Sequence, residues 1–171
     1  TSASKASAAS ITAKPITIKA KDQTITYGSS ITQGVGQVTI SSGALASGDT
    51  LTGITLDQST TNYTTNGTIT PSAATINDGS SNNMTTNYSI TYSTGVLKIN
   101  KANLTPSIGT CNNKVYDGTT SASCTINLAT PKSGDVVSAS GTCVFADKNV
   151  GNAKTVTCTN ITLSGTNAGN Y

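Results

Sequence analysis

The chain contains no histidine, arginine, glutamate or tryptophan, and only one phenylalanine and one methionine. Without histidine there is no Ser-His or Cys-His pair, no imidazole metal ligand and no imidazole proton shuttle. Without arginine there is no bidentate clamp for a phosphate or a carboxylate. The net charge of +3 comes from dispersed lysines and aspartates and is too small for a nucleic-acid-binding surface. We therefore expect neither an enzyme nor a nucleic-acid-binding protein, and no cofactor.

Serine and threonine make up about a third of the 171 residues, while strong helix formers are scarce. Short runs with an apolar residue at every second position recur between turn residues, at 16–19, 23–27, 37–40, 67–70, 88–92, 96–99, 124–128 and 156–158. This alternation is typical of strands with one buried face, and no segment shows a helical period. The sequence therefore predicts an all-β protein. Residues 92–96 are predicted to form a tight hairpin turn, with Gly95 at positive φ.

Three short motifs occur twice, at offsets of 83–89 residues. They are Tyr-Gly-Ser-Ser at 27–30 with Tyr-Asp-Gly-Thr-Thr at 116–120, Ser-Gly-Asp at 47–49 and 133–135, and Asn-Tyr at 87–88 and 170–171. An offset of this size indicates a repeated domain rather than a solenoid rung. We predict two tandem antiparallel β-sandwich domains, immunoglobulin-like in shape, at residues 15–100 and 101–171, with a β-grasp-like fold as the alternative.

The two ends of the chain differ from ordinary domain ends. In the first unit, Asn-Tyr is followed by further strand-like residues up to Ile99, whereas the second unit stops at Asn-Tyr. Residues 1–14 have no partner in the first unit and read as a closing strand ending at 11–14. We expect residues 101–171 to lack their last strands, and residues 1–14 to be the closing strand of a preceding or neighbouring copy of that unit.

These motifs also carry a family resemblance. The first unit resembles the MBG-type repeat of bacterial surface proteins through residues 21–28, 47–53 and 87–92. The second resembles the YDG-type repeat through Lys-Val-Tyr-Asp-Gly-Thr-Thr at 114–120 and through residues 133–137, 145–151 and 161–171. The four cysteines depart from the common pattern of these repeats.

The resemblance implies a large secreted adhesin, a biofilm-matrix protein or a filamentous-haemagglutinin-like protein in which such repeats form stalks. It implies a mechanical and adhesive role without catalytic residues, at the cell surface or in the extracellular matrix. Neighbouring copies of the repeat are the expected partners, each completing the other's sheets. Extracellular polysaccharide is a second expected partner, in which case the chain would be a binding module. We expect no insertion into a membrane.

All four cysteines lie in the second unit, and their even number without a CxxC pair favours disulfides over a zinc site. Strand parity places Cys143 opposite Cys158 across a turn at 147–151, and Cys111 near Cys124 across the Tyr-Asp-Gly turn. We therefore predict Cys111–Cys124 and Cys143–Cys158 disulfides, each stabilising the unit by roughly 3 kcal/mol through loop closure. Four buried free thiols are the alternative.

The repeated aspartates and tyrosines have more than one interpretation. Asp49 and Asp135 are expected to cap their turns, because seven isolated aspartates offer a calcium ion too few clustered oxygens. The tyrosines at matching positions are expected to be core or corner residues with a tethered hydroxyl, with sugar stacking as the alternative. They are Tyr27, Tyr88, Tyr116 and Tyr171. We expect no metal site.

Overall fold

A computed structural model describes residues 7–171 and shows a nearly all-β protein, which confirms the predicted all-β class. Its strands are β1 (Lys14–Ala20), β2 (Gln23–Thr26), β3 (Val38–Ser42), β4 (Thr50–Gln58), β5 (Thr64–Asn77), β6 (Tyr88–Ser93), β7 (Gly95–Asn100), β8 (Pro106–Cys111), β9 (Ser121–Ala122), β10 (Cys124–Leu128), β11 (Ser138–Phe145) and β12 (Val156–Ser164). Short 3-10 helices lie at Val35–Gln37, Thr85–Asn87 and Ala168–Asn170. Because residues 7–171 contain no α-helix, the β-grasp-like alternative, in which a sheet packs around a helix, is wrong. In the same residues, no helix has the length and apolar character needed to span a bilayer.

The chain forms two compact units. The first consists of residues 7–25 and 29–99, and the second of residues 26–28 and 100–171. The division after Ile99 lies one residue from the boundary expected from the repeats. The assignment of residues 26–28 to the second unit is a feature that local sequence patterns do not predict.

The first unit contains two sheets, with strand orders β3-β1-β6 and β2-β7-β5-β4. Strand β1 is antiparallel to β3 but parallel to β6, so that Lys14 lies beside Tyr88 and Lys19 beside Ser93. The expectation of purely antiparallel sheets is therefore wrong here. Because β1 and β6 are far apart in sequence, no short turn constrains them to run in opposite directions.

Alternating apolar side chains form the interior of the first unit. Six large aliphatic residues are at most 2 % exposed: Ile16, Ile18, Ile69, Ile76, Leu97 and Ile99. Burial of each such side chain contributes about 1.5–3 kcal/mol before the entropy of ordering is subtracted. The first unit therefore has a conventional aliphatic core, drawn from strands of both of its sheets.

The predicted hairpin at 92–96 is wrong. Strands β6 and β7 are separated by a single residue, yet β6 pairs with β1 whereas β7 pairs with β5 in the other sheet. The chain therefore crosses between sheets at Thr94. Gly95 is required there for close approach and not for positive φ, because a Cβ atom would lie 2.6 Å from the carbonyl oxygens of Ala20 and Lys21.

The second unit repeats part of this arrangement. Its sheets have strand orders β10-β8 and β12-β11-β9. The antiparallel pair β8/β10 corresponds in chain order to β1/β3, and the antiparallel pair β11/β12 corresponds to β4/β5. A 3-10 helix ending in asparagine then precedes a tyrosine in both units, at Tyr88 and Tyr171.

Each of the two long hairpins carries a bulge at the corresponding place. In β5 the extra residue is Ala73 at φ 49°, and in β12 it is Asn160 at φ 52°. A glycine lies on the facing strand in each case, Gly53 in β4 and Gly141 in β11. A left-handed residue other than glycine is uncommon, so its recurrence indicates that both units require the same bend.

Within the described residues, strands β8 and β12 of the second unit each have an unpaired edge where the corresponding strand of the first unit is paired on both sides. Strand β8 pairs only with β10, whereas its counterpart β1 has partners on both sides. Likewise β12 pairs only with β11, whereas β5 lies between β4 and β7. Ile108 on β8 is 46 % exposed, although the isoleucines of β1 are buried. The apolar face of the second unit is therefore incompletely covered in residues 7–171.

The segment before β1 has no regular secondary structure from residue 7 to residue 13, and Ile11 is fully exposed. Residues 1–6 of the predicted closing strand lie outside the described residues. Lys14 is the first residue of β1 and lies beside Tyr88, so its place in the predicted closing strand is wrong. Pairing of the residues before it with another unit stays a prediction.

Candidate functional site

The cysteines form two cross-strand disulfides, Cys111–Cys124 and Cys143–Cys158. The first joins β8 to β10 and the second joins β11 to β12, and the Cα atoms of each pair are 4.0 Å apart. These are the two pairs that strand parity selects. Residues 7–171 contain no free cysteine, so the alternative of four buried thiols does not occur.

The two disulfides lie close together inside the second unit. The sulfur atoms of Cys124, Cys143 and Cys158 are all within 4.8 Å of one another. Only Tyr27, Cys143 and Asn170 are buried in this unit, so its aliphatic core is small. Small cores of this kind commonly depend on disulfides for stability. Because these sulfurs are bonded in pairs, they are not thiolate ligands for a metal ion.

A turn in the first unit holds Asp49 against Tyr88. Residues 46–49 form the turn, with the Asp49 N–H donating to the Ala46 carbonyl at 3.1 Å and Gly48 at φ 92°. The Tyr88 hydroxyl donates to Asp49 Oδ2 at 2.6 Å and accepts the Ala46 N–H at 2.8 Å. Burial raises the pKa of Tyr88, and the hydrogen bond to the Asp49 carboxylate raises it further. We call these three residues the first corner.

The second unit contains the same arrangement, built from Lys132, Asp135 and Tyr171, which we call the second corner. The Asp135 N–H donates to the Lys132 carbonyl at 3.0 Å, with Gly134 at φ 89°. The Tyr171 hydroxyl donates to Asp135 Oδ2 at 2.5 Å and accepts the Lys132 N–H at 2.9 Å. Burial, followed by the Asp135 hydrogen bond, raises the pKa of Tyr171. In each unit, therefore, the aspartate of the Ser-Gly-Asp motif and the tyrosine of the Asn-Tyr motif are hydrogen-bonded to each other.

The second corner has an additional member, Tyr27, from the segment 26–28 that belongs to this unit. The Tyr27 hydroxyl lies 3.0 Å from both Asp135 oxygens, and its ring meets that of Tyr171 edge-on at 5.5 Å between centroids. Lys132 Nζ lies 5.1 Å from the centre of the Tyr27 ring. Burial, followed by the Asp135 hydrogen bond, raises the pKa of Tyr27. The Asp135 carboxylate thus accepts hydrogen bonds from the hydroxyl groups of two tyrosines.

The fourth tyrosine at a matching position, Tyr116, does not occupy a corner. It is 60 % exposed, and no described residue bonds its hydroxyl, so the expectation of a core or corner role is wrong for this residue. The turn beside it is well ordered, because Lys114 Nζ donates to Asp117 Oδ1 at 2.8 Å and to the Thr119 carbonyl at 2.9 Å. Hydrogen bonds from Lys114 and then from Thr119 lower the pKa of Asp117 to about 2. For Tyr27, Tyr88 and Tyr171 the expectation of a tethered hydroxyl is correct.

The aspartates of the corners do not cap their turns. Among residues 7–171, the hydrogen bonds that the Asp49 and Asp135 carboxylates accept come from tyrosine hydroxyls and not from backbone N–H groups. The capping role expected from the Ser-Gly-Asp motif is therefore wrong, because each carboxylate instead accepts a hydrogen bond from a tyrosine 36–39 residues later in the chain. The separation of each pair is nearly the same in the two units, which is the signal by which the pairing could have been found.

The second unit also contains an open polar cleft of about 590 Å³. It is lined by asparagines, lysines and two aromatic residues, among them Asn112, Asn113, Lys114, Tyr116, Phe145 and Lys148. Lys154 pairs with Asp147 at its edge and lowers the pKa of that carboxyl group. Lys114 Nζ lies 5.9 Å from the centre of the Phe145 ring. Such a lining offers hydrogen-bond donors and one exposed ring, which suits a hydroxyl-rich ligand.

Comparison with known proteins gives one family. Residues 100–171 match the YDG domain. No curated protein and no solved structure matches the chain. The match covers the Tyr-Asp-Gly turn, both disulfides and the second corner except Tyr27. Residues 100–171 of this chain are therefore a YDG domain.

Proposed function

We propose that this chain is a structural, non-catalytic repeat segment of an extracellular bacterial adhesin stalk or matrix fibre, in which an MBG-type unit precedes the YDG domain. The observation that carries the proposal is that the same hydrogen-bonded Asp–Tyr corner recurs in two units whose cores differ. The Asp–Tyr corner is present both in the first unit, which has an aliphatic core, and in the second unit, which has two disulfides and a small core. A feature retained for shape while the core chemistry changes supports a mechanical role.

The proposal includes the completion of sheets between neighbouring units. The unpaired edges of β8 and β12 and the exposed Ile108 support it, because open edges and uncovered apolar residues accept an added strand. The segment that precedes β1, with fully exposed Ile11, is the proposed added strand. In this proposal each unit, once completed, is a β-sandwich of immunoglobulin-like shape.

Secretion to the cell surface or matrix is also part of the proposal. Two disulfides in a unit with a small core suit an oxidising compartment, since cytosolic reductants would open them. Neighbouring copies of the repeat are the proposed main partners.

A peptide complementation experiment tests the proposal. A synthetic peptide of residues 1–14 is added to the intact chain, and the hydrogen exchange of backbone amides in the second unit is measured at increasing peptide concentration. We expect the peptide to raise the protection of β8 and β12 amides in a saturable manner. The matched control carries aspartate in place of Ile11 and is expected to have no effect. Equal effects of the two peptides, or none from either, would contradict strand completion.

The second candidate function is binding of an extracellular polysaccharide, which the polar cleft with exposed Tyr116 favours. Titration calorimetry against bacterial exopolysaccharides tests it. Saturable binding that is lost in the cleft variant Lys148→Ala and retained in Lys98→Ala, a lysine of the first unit, would support this function. The absence of saturable binding would exclude it for the glycans used.

A further inference from the structure

The first corner lacks the additional tyrosine that the second corner has. Tyr88 occupies Asp49 Oδ2, but no hydrogen bond reaches Asp49 Oδ1 from the described residues. In the second corner both carboxylate oxygens are used, because Tyr27 lies 3.0 Å from each of them. The turn residues 46–48 of the first corner are exposed, so the carboxylate can be approached from outside.

The second unit has a tyrosine of the same type whose hydroxyl is not bonded by any residue that the structure describes. Tyr116 of Tyr-Asp-Gly-Thr-Thr matches Tyr27 of Tyr-Gly-Ser-Ser, and it is 60 % exposed next to Val115, which is 88 % exposed. The adjacent turn is fixed by Lys114 and Asp117, so little conformational entropy remains to be lost when it binds. Two exposed apolar side chains on an ordered turn form a small surface suited to a partner.

We propose that Tyr116 of a second copy of this repeat docks into the first corner and donates its hydroxyl proton to Asp49 Oδ1. The ring lies against Tyr88 as Tyr27 lies against Tyr171. Each chain then offers one free tyrosine and one free corner, and joining unlike surfaces produces an open linear array. This contact deepens the proposed stalk function by naming the surface at which successive copies meet.

One difference between the corners sets the expected strength of the contact. Lys132 of the second corner lies over the Tyr27 ring, but the equivalent position of the first corner is Ala46. The docked Tyr116 therefore has no cation over its ring, and the contact between separate chains is weak. In a tandem array the tether raises the effective concentration to the millimolar range, so that a weak contact suffices.

The experiment uses the intact 171-residue chain labelled with 15N, observed by NMR as its concentration is raised from micromolar to millimolar. We expect the amide signals of Ala46 and Asp49 to shift with concentration. Tyr116→Phe removes only the donated proton, and it is expected to weaken the association about 10- to 100-fold. Tyr63→Phe, an exposed tyrosine of the first unit, is the control and is expected to leave the association unchanged.

A gain of binding gives a second readout. Ala46→Lys introduces the cation of the second corner, and it is expected to strengthen the association about two- to five-fold. The same variant combined with Tyr116→Phe is expected to lose most of this gain. Because Ala46 and Tyr116 are both exposed, neither substitution alters the core.

The proposal is overturned if the signals of Ala46 and Asp49 do not depend on concentration, or if Tyr116→Phe associates as the parent chain does. It is also overturned if Tyr116→Phe loses binding to a glycan while self-association is retained. Failure of the contact is distinct from failure of the stalk function. If the native polypeptide forms a long thread but Tyr116→Phe does not change self-association, only the proposed contact is contradicted. If the native chain is short but associates through Tyr116, only the stalk function is contradicted.

Discussion

Replacing Tyr88 by phenylalanine tests the role of the first corner with the loss of a single oxygen atom. That oxygen donates to the Asp49 carboxylate at 2.6 Å and accepts the Ala46 N–H at 2.8 Å. A hydrogen bond to a charged group contributes about 1.5–3 kcal/mol, and a neutral one about 0.5–1.5 kcal/mol. Because Ala46 is exposed, water replaces part of the second bond. We expect Tyr88→Phe to lower the free energy of unfolding of the first unit by about 2–3 kcal/mol.

Two other tyrosines provide matched comparisons. The Tyr92 hydroxyl accepts the Ala74 N–H at 2.9 Å, and the structure gives it no carboxylate partner among residues 7–171. Tyr92→Phe therefore measures the loss of a neutral bond alone, and is expected to cost about 1 kcal/mol. Tyr171→Phe leaves Asp135 bonded to Tyr27, so it is expected to destabilise the second unit less than Tyr88→Phe destabilises the first.

Native-state hydrogen exchange read by mass spectrometry assigns each loss to one unit. For a unit of this size, 2 kcal/mol corresponds to a fall of about 8–16 °C in the midpoint of thermal unfolding. If Tyr88→Phe lowers the free energy of unfolding no more than Tyr92→Phe does, the hydrogen bond to Asp49 contributes nothing to stability and the first corner does not stabilise its unit. If Tyr171→Phe costs more than Tyr88→Phe, Tyr27 does not support Asp135 as the geometry indicates.

Reduction of the two disulfides is expected to destabilise the second unit by up to about 3 kcal/mol for each bond, while the exchange rates of the first unit stay unchanged. A loss shared equally by both units would contradict the separate cores. The pKa values of Tyr27, Tyr88 and Tyr171 are raised above 10 in the folded chain, chiefly by burial. Their stabilisation is therefore complete below about pH 10 and is lost as the pH rises through the folded pKa values. Unfolding titrations above pH 10 should show this fall, and a flat profile there would refute it. Finally, Ala73→Gly relieves a left-handed alanine and is expected to stabilise the first unit by about 1 kcal/mol. Gly95→Ala is expected to destabilise the same unit strongly. The denaturation midpoints of the two variants, each compared with that of the parent chain, test both expectations.

The β class and the cysteine register follow from local patterns. Alternation of apolar residues determines which side chains share a face, and a hairpin of known turn position then brings particular cysteines opposite each other. Cys143 and Cys158 are an example, because the turn at 147–151 lies midway between them. Such inferences need only short segments of sequence.

The rest depends on contacts between distant segments. The run at 88–99 reads equally well as a hairpin or as two strands of different sheets, and only the close approach of Gly95 to Ala20 distinguishes them. Nothing local to residues 26–28 indicates that Tyr27 reaches Asp135, 108 residues later. The Ser-Gly-Asp turn alone does not indicate the role of the corner aspartates, and only the similar separation of Asp and Tyr in the two units, 39 and 36 residues, indicates that they pair.

The most direct test of the account is the mass of the native polypeptide under denaturing, reducing conditions, with the same material imaged by electron microscopy. We expect a very large chain that forms a thread with a regular bead for each unit. A 17.1 kDa chain that stays monomeric would contradict the structural function, and a polysaccharide-binding module would then become the better explanation.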